Sequence, residues 1–101
     1  MARGARTYVC DFGRGVKCTM RVPSSLLEGL KEGGRRMEAI FEWEGTPSPK
    51  IIPKYKKWVL SVYRELSDEL GARMMYVFTE GGSYEAWGCE PGKPPVLLQR
   101  G

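Results

Sequence analysis

The stretch from Pro53 to Leu70 does most to constrain the fold. It opens with a proline suited to a first helical turn, closes before Gly71, a residue suited to a C-terminal cap, and spaces its apolar side chains helically. At about 100° per residue, Trp58, Val62, Tyr55, Leu66, Val59, Leu70 and Tyr63 fall within one arc of roughly 140°. That arc should face a sheet. Leu60 falls outside it among polar neighbours and reads as one of the exposed leucines that ordinary proteins carry.

The sheet has to come from short β-like runs. Thr7 to Phe12 and Val16 to Val22 flank Gly13-Arg14-Gly15, a loop of hairpin length. A turn centred on Arg14 sets Phe12 against Val16, Cys10 against Cys18 and Tyr8 against Met20, leaving Asp11, Lys17, Thr19 and Arg21 on the opposite face. Met37 to Glu44 alternates strictly, with Met37, Ala39, Phe41 and Trp43 on one side and Glu38, Ile40, Glu42 and Glu44 on the other. Met74 to Thr79 is apolar on both faces, as a central strand is. Tyr84 to Cys89 returns after Glu80-Gly81-Gly82-Ser83, and Val96-Leu97-Leu98 is either a short edge strand or a segment tucked against the core.

Ser25-Leu26-Leu27-Glu28 has the capping-box pattern, and Gly33-Gly34 stops the short helix it begins. Gly45 to Pro53, with three prolines, is a surface connection. The expected fold is therefore α+β, a single domain over residues 1–101 in the order ββαβαββ. Its antiparallel or mixed five-stranded sheet carries two helices packed on one face.

With 101 residues, 42% of them hydrophobic and 28% charged, the chain suits one core that folds unaided. Its apolar runs are only a few residues long, against about 20 needed to cross a bilayer, and no secretory signal is expected near Met1. Three cysteines make no even disulfide framework, so a reducing, cytoplasmic setting is expected. The chain has no histidine, which removes Ser-His, Cys-His and histidine-based metal chemistry. Cys10 and Cys18 read as small apolar filling, bonded or not, and Glu38, Glu42 and Glu44 as a solvated strand face. No acid–base or nucleophile constellation is visible, so catalysis ranks last, and no cofactor or metal is expected.

The helix nevertheless has an unusual charge order. Lys54, Lys56 and Lys57 crowd its positive N-terminal end, while Glu65, Asp68 and Glu69 crowd its negative C-terminal end. From Gly45 to Arg64 there are five basic residues and no acidic one. Lys50, Lys54, Lys56 and Lys57, together with free amides at the helix start, form a candidate phosphate or carboxylate site, which Arg14, Arg35 and Arg36 would extend.

Tyr55, Trp58 and Tyr63 lie in the core arc and are not free to stack on bases, leaving Tyr84 and Trp87 as the aromatic surface. The first functional expectation is a non-catalytic binding module with a cationic edge for an anionic partner, nucleic-acid backbone being favoured. One alternative is a protein-interaction or homodimerisation module using an uncovered sheet face. The other is a small-molecule pocket lined by Trp43, Trp58, Tyr76 and Trp87.

Overall fold

The computed structural model of the chain describes residues 6–23 and 40–101. Strands β1 (Arg6–Gly13), β2 (Val16–Val22) and β3 (Ile40–Glu44) precede a 3-10 turn at Pro49–Ile51 and the helix α1 (Ile52–Leu70). Strands β4 (Met74–Glu80), β5 (Ser83–Cys89) and β6 (Val96–Arg100) follow.

These elements do not make the single five-stranded sheet with two helices that the pattern implied. They make two separate three-stranded antiparallel sheets, ordered β1-β2-β3 and β4-β5-β6. Among the described residues there is one α-helix. The short helix expected after Ser25, and the start of the strand expected at Met37, lie outside the described residues. Val96–Arg100 is a full edge strand, which completes the second sheet.

The reason is visible around the helix. An apolar arc of roughly 140° suits packing on one surface, but α1 buries a wider one. Leu60 is 9% exposed and belongs to the core, and Ser67, on the same flank beyond the arc, is fully buried. Ser67 donates its hydroxyl to the carbonyls of Ala72 and Cys89, at 2.6 and 3.3 Å, so this flank lies against the second sheet. On the other flank, Trp58 packs edge-on against Phe12 and Tyr55 against Phe41 and Trp43, all from the first sheet. The helix is thus held by both sheets, which touch each other through Phe41 and Tyr76, 6.2 Å between ring centres. Met20, Val22, Val59, Tyr63 and Leu66 fill the centre without measurable exposure.

Register follows local turn chemistry. Tyr8 faces Met20 and Cys10 faces Cys18, as the alternation implied. Phe12 does not face Val16: the strand slips between Asp11 and Gly13, and Gly13 pairs with Val16. The turn is then Arg14-Gly15, both at positive φ (54° and 77°), the geometry that matches the twist of a two-residue hairpin. The Asp11 carboxylate accepts the Gly13 amide at 2.8 Å and fixes the slip. Gly45, after β3, sits so close to this turn that a Cβ there would collide with the Gly15 carbonyl. The chain can leave β3 beside the hairpin tip only because the residue is glycine.

Candidate functional site

The contacts sort the molecule into two ends. Trp58 beside Phe12, Gly45 beside Gly15, and Lys56 beside Glu85 place the first hairpin tip, the exit from β3 and the Gly81-Gly82 turn together at the start of α1. Arg6 beside Glu69, Ser67 beside Cys89, and Asp68 beside Gly92 define the opposite end.

Lys50, Lys54 and Lys57 are all exposed at the first end, and no ion pair engages them among the described residues. Arg14, at the hairpin tip, is exposed at the same end. Lys56 points inward instead. Its ammonium lies 3.4 Å from Glu85 and 5.7 Å from the centre of the Phe78 ring, so it is a structural cation. Arg35 and Arg36 lie outside the described residues. Arg100, which the sequence pattern did not single out, joins this end and also reaches Glu85 at 3.4 Å. The signal that would have found it is the extension of β6 beyond Leu98.

The Glu85 carboxylate is a small hub. It accepts the Trp87 indole N–H at 3.1 Å and faces both Lys56 and Arg100. The indole hydrogen bond first, and then the two cations, hold its pKa below the ordinary carboxylate range. Glu42 and Glu44 do not neutralise the helix lysines. Phe41 and Trp43 take the helix-facing side of β3, so the glutamates lie on the outer face. There Glu42 pairs with Arg21 at 3.4 Å, and Asp11, Lys17 and Glu44 share a cross-strand row.

The amides expected to be free at the helix start are mostly used. The Ile51 N–H donates to the Ser48 carbonyl and the Ile52 N–H to that of Pro49, while Pro49 and Pro53 have none to offer. The site is therefore made of side chains, not of a helix-terminus cradle. No acidic residue occupies the first turn to offset the lysines.

The same end holds a cleft of about 390 Å³. Tyr55 and Phe78, Trp43, and Pro47, Pro49 and Ile51 line it, with the Lys56 side chain among them. Trp43 was expected on a buried face, yet it is 37% exposed, because among the described strands β3 lies at the edge of its sheet. Its ring stacks on Phe12, 5.8 Å and 22° apart, and tilts against Tyr55 at 5.4 Å. The other members of the expected aromatic pocket are elsewhere: Trp58 is against Phe12, Tyr76 against Tyr63 and Phe78, and Trp87 on Glu85. Burial first, and then neighbouring Tyr76, push the Tyr55 hydroxyl well above its usual range, so it stays neutral.

The three thiols are free. Burial pushes Cys18 up to about 11 and raises Cys89 as well. Cys10 is raised by burial and by Asp11, with Lys54 acting in the opposite sense. All three are poor nucleophiles at neutral pH. Among the described residues no group of His, Cys, Asp and Glu is arranged to hold a metal ion, and no helix is long and apolar enough to cross a membrane.

The outer face of the second sheet is apolar. Met75, Val96 and Leu98 are 37%, 54% and 60% exposed, and they border a second cleft of about 410 Å³ over Gly88. Compared with protein families, curated proteins and solved structures, the chain has no significant match to any of them.

Proposed function

We propose that the chain is a non-catalytic binding module that holds a polyanion, nucleic-acid backbone in particular, at the end of the molecule where α1 starts. One observation carries this reading. Lys50, Lys54 and Lys57 stand exposed beside the positive end of the helix dipole, with no acidic partner among the described residues. Such an arrangement costs stability in the free protein and is relieved when phosphate arrives. Arg14 widens the cationic surface, and Arg100 adds to it from β6.

The test is fluorescence anisotropy of a labelled oligonucleotide across a salt series. Each phosphate contact contributes about 0.7–0.9 to the slope of log affinity against log salt. Replacing Lys50, Lys54 and Lys57 by alanine should lower that slope by about 2. Replacing Arg73 and Lys93, which pair with Glu90 at the far end, should leave it unchanged. Absence of binding at low salt, or binding that ignores salt, ends this reading.

The apolar outer face of β4–β6 favours a second reading, self-association. Exposed Met75, Val96 and Leu98 lie together on a face that no other element covers among the described residues. Sedimentation at high concentration should then show a dimer that Leu98→Lys disperses. A strictly monomeric wild-type chain would exclude it.

A further inference from the structure

We propose that Cys10 and Cys18 are a redox-sensitive pair that closes reversibly into a cross-strand disulfide, tying β1 to β2. The two residues face each other directly in the register of the hairpin. Facing residues of an antiparallel pair point to the same side, with Cα atoms about 4.5 or 5.5 Å apart and Cβ atoms about 4.5–5.5 Å apart. A disulfide accepts Cα separations of about 4.4–6.8 Å and Cβ separations of about 3.5–4.5 Å. The backbone spacing is therefore already suitable, and closure asks the Cβ atoms to approach by about 1 Å.

The surroundings allow that approach. Among the described strands β1 lies at the edge of its sheet, so it can shift toward β2 without giving up a second pairing. The register slips just beyond Asp11, and such an irregularity adds local twist next to the pair. Access is one-sided. Cys18 is fully buried whereas Cys10 keeps partial exposure, so a reagent from solvent meets Cys10 first. The thiols also sense each other: burial first, and then neighbouring Cys10, raise Cys18. Cys89 belongs to β5 of the other sheet, where it faces Met74.

The co-reactant is a small disulfide of the oxidised-glutathione class. The Cys10 thiolate attacks one of its sulfurs, its S–S bond breaks, and one glutathione leaves with the electron pair as a thiolate. The Cys18 thiolate then attacks the Cys10 sulfur, the second glutathione leaves in the same way, and the Cys10–Cys18 bond forms. The protein gives up two electrons and two protons, and the oxidised glutathione takes up both as two thiols. Because both cysteines are raised, the thiolate fraction is small and exchange at neutral pH is slow. Such a pair ignores brief oxidation and registers a sustained one.

The experiment incubates the intact chain in oxidised glutathione and then in an excess of reduced glutathione, following intact mass, peptide linkage and amide hydrogen exchange. Cys18→Ser and Cys10→Ser accompany the wild type. The wild type should lose the mass of two hydrogen atoms, yield a linked Cys10–Cys18 peptide, and regain its thiols in the second buffer. Amides from Thr7 to Asp11 should exchange at least about tenfold more slowly in the oxidised form, because β1 can no longer peel from β2. Cys18→Ser should stop at a glutathione adduct on Cys10, and Cys10→Ser should form no internal bond.

An unchanged wild-type mass, an adduct that never resolves, or a linkage through Cys89 or between two chains would overturn the proposal. So would a Cys10–Cys18 bond that reduced glutathione leaves intact, or one without effect on exchange in β1. Mass and linkage of the wild type decide the matter even if Cys18→Ser fails to fold.

Discussion

The two ends of α1 pose the same electrostatic problem and solve it differently. Both carry charges of the sign that the helix dipole opposes. At the C-terminal end the chain supplies its own compensation. Arg6 of β1 grips Glu69 with both guanidinium nitrogens, and the Asp68 carboxylate accepts the Gly92 amide. At the N-terminal end Lys56 is answered by Glu85, while Lys50, Lys54 and Lys57 are exposed and have no ion-pair partner among the described residues. Unfavourable charges with an internal partner are a feature of folding. Those without one among the described residues are the charges on which the proposed binding rests, and the contrast separates two groups that look alike in the sequence.

The comparison assumes that one helix holds both sheets, and the largest expected effect tests this. Leu60→Ala should cost about 2–5 kcal/mol in denaturant unfolding, as truncation of a core leucine does. A near-zero change would put Leu60 on the surface and detach the two ends from one another. Next in size is charge reversal of Lys50, Lys54 and Lys57 to glutamate. Polyanion binding at low salt should fall more than about a hundredfold. Melting temperature should rise, because an acidic group at a helix start contributes about 0.3–1 kcal/mol. A loss of stability instead would make these lysines structural.

A smaller effect belongs to the compensated end. The Arg6 guanidinium, through its hydrogen bonds, lowers the Glu69 pKa below its ordinary 4.5. A lowered carboxylate pKa contributes stability that is present above the unfolded value and lost as pH falls through the folded one. Acid unfolding below about 4.5 should therefore be shallower in Arg6→Ala, since Glu69 no longer contributes, while its stability at pH 7 drops slightly. Identical acid limbs would mean that the pair is idle. The smallest change is Asp68→Asn, which keeps an acceptor for the Gly92 amide but removes its charge. A barely shifted melting temperature is expected, and a large loss would show that the charge itself matters there.

Much of the local structure was legible. The long helix, its Gly71 cap, and the facing of Tyr8 with Met20 and Cys10 with Cys18 all follow from period and turn residues. What sequence could not supply was non-local. Which strands share a sheet depends on pairings between distant segments, and the clue that there were two sheets lay in Leu60 and Ser67, an isolated leucine and a serine that look solvent-facing by pattern. The hairpin slip at Phe12 depends on one side-chain hydrogen bond from Asp11. For the candidate site, the crowding of lysines was evident from spacing, but their division was not: Lys56, unlike Lys54 and Lys57, faces Glu85, some thirty residues away in the chain. The exposure of Trp43 was hidden because strict alternation marks a half-buried strand without saying that it forms an edge.

The most direct test is to follow backbone amide chemical shifts of the isotope-labelled chain while short inorganic polyphosphate is added at low salt. Shifts confined to Arg14 and to the segment from Lys50 to Lys57, reversed by added salt, are the expected result. Shifts centred on Arg73 and Lys93, where the cations already have Glu90, or no shifts at all, would show that uncompensated charge at the helix start is not what this protein binds with.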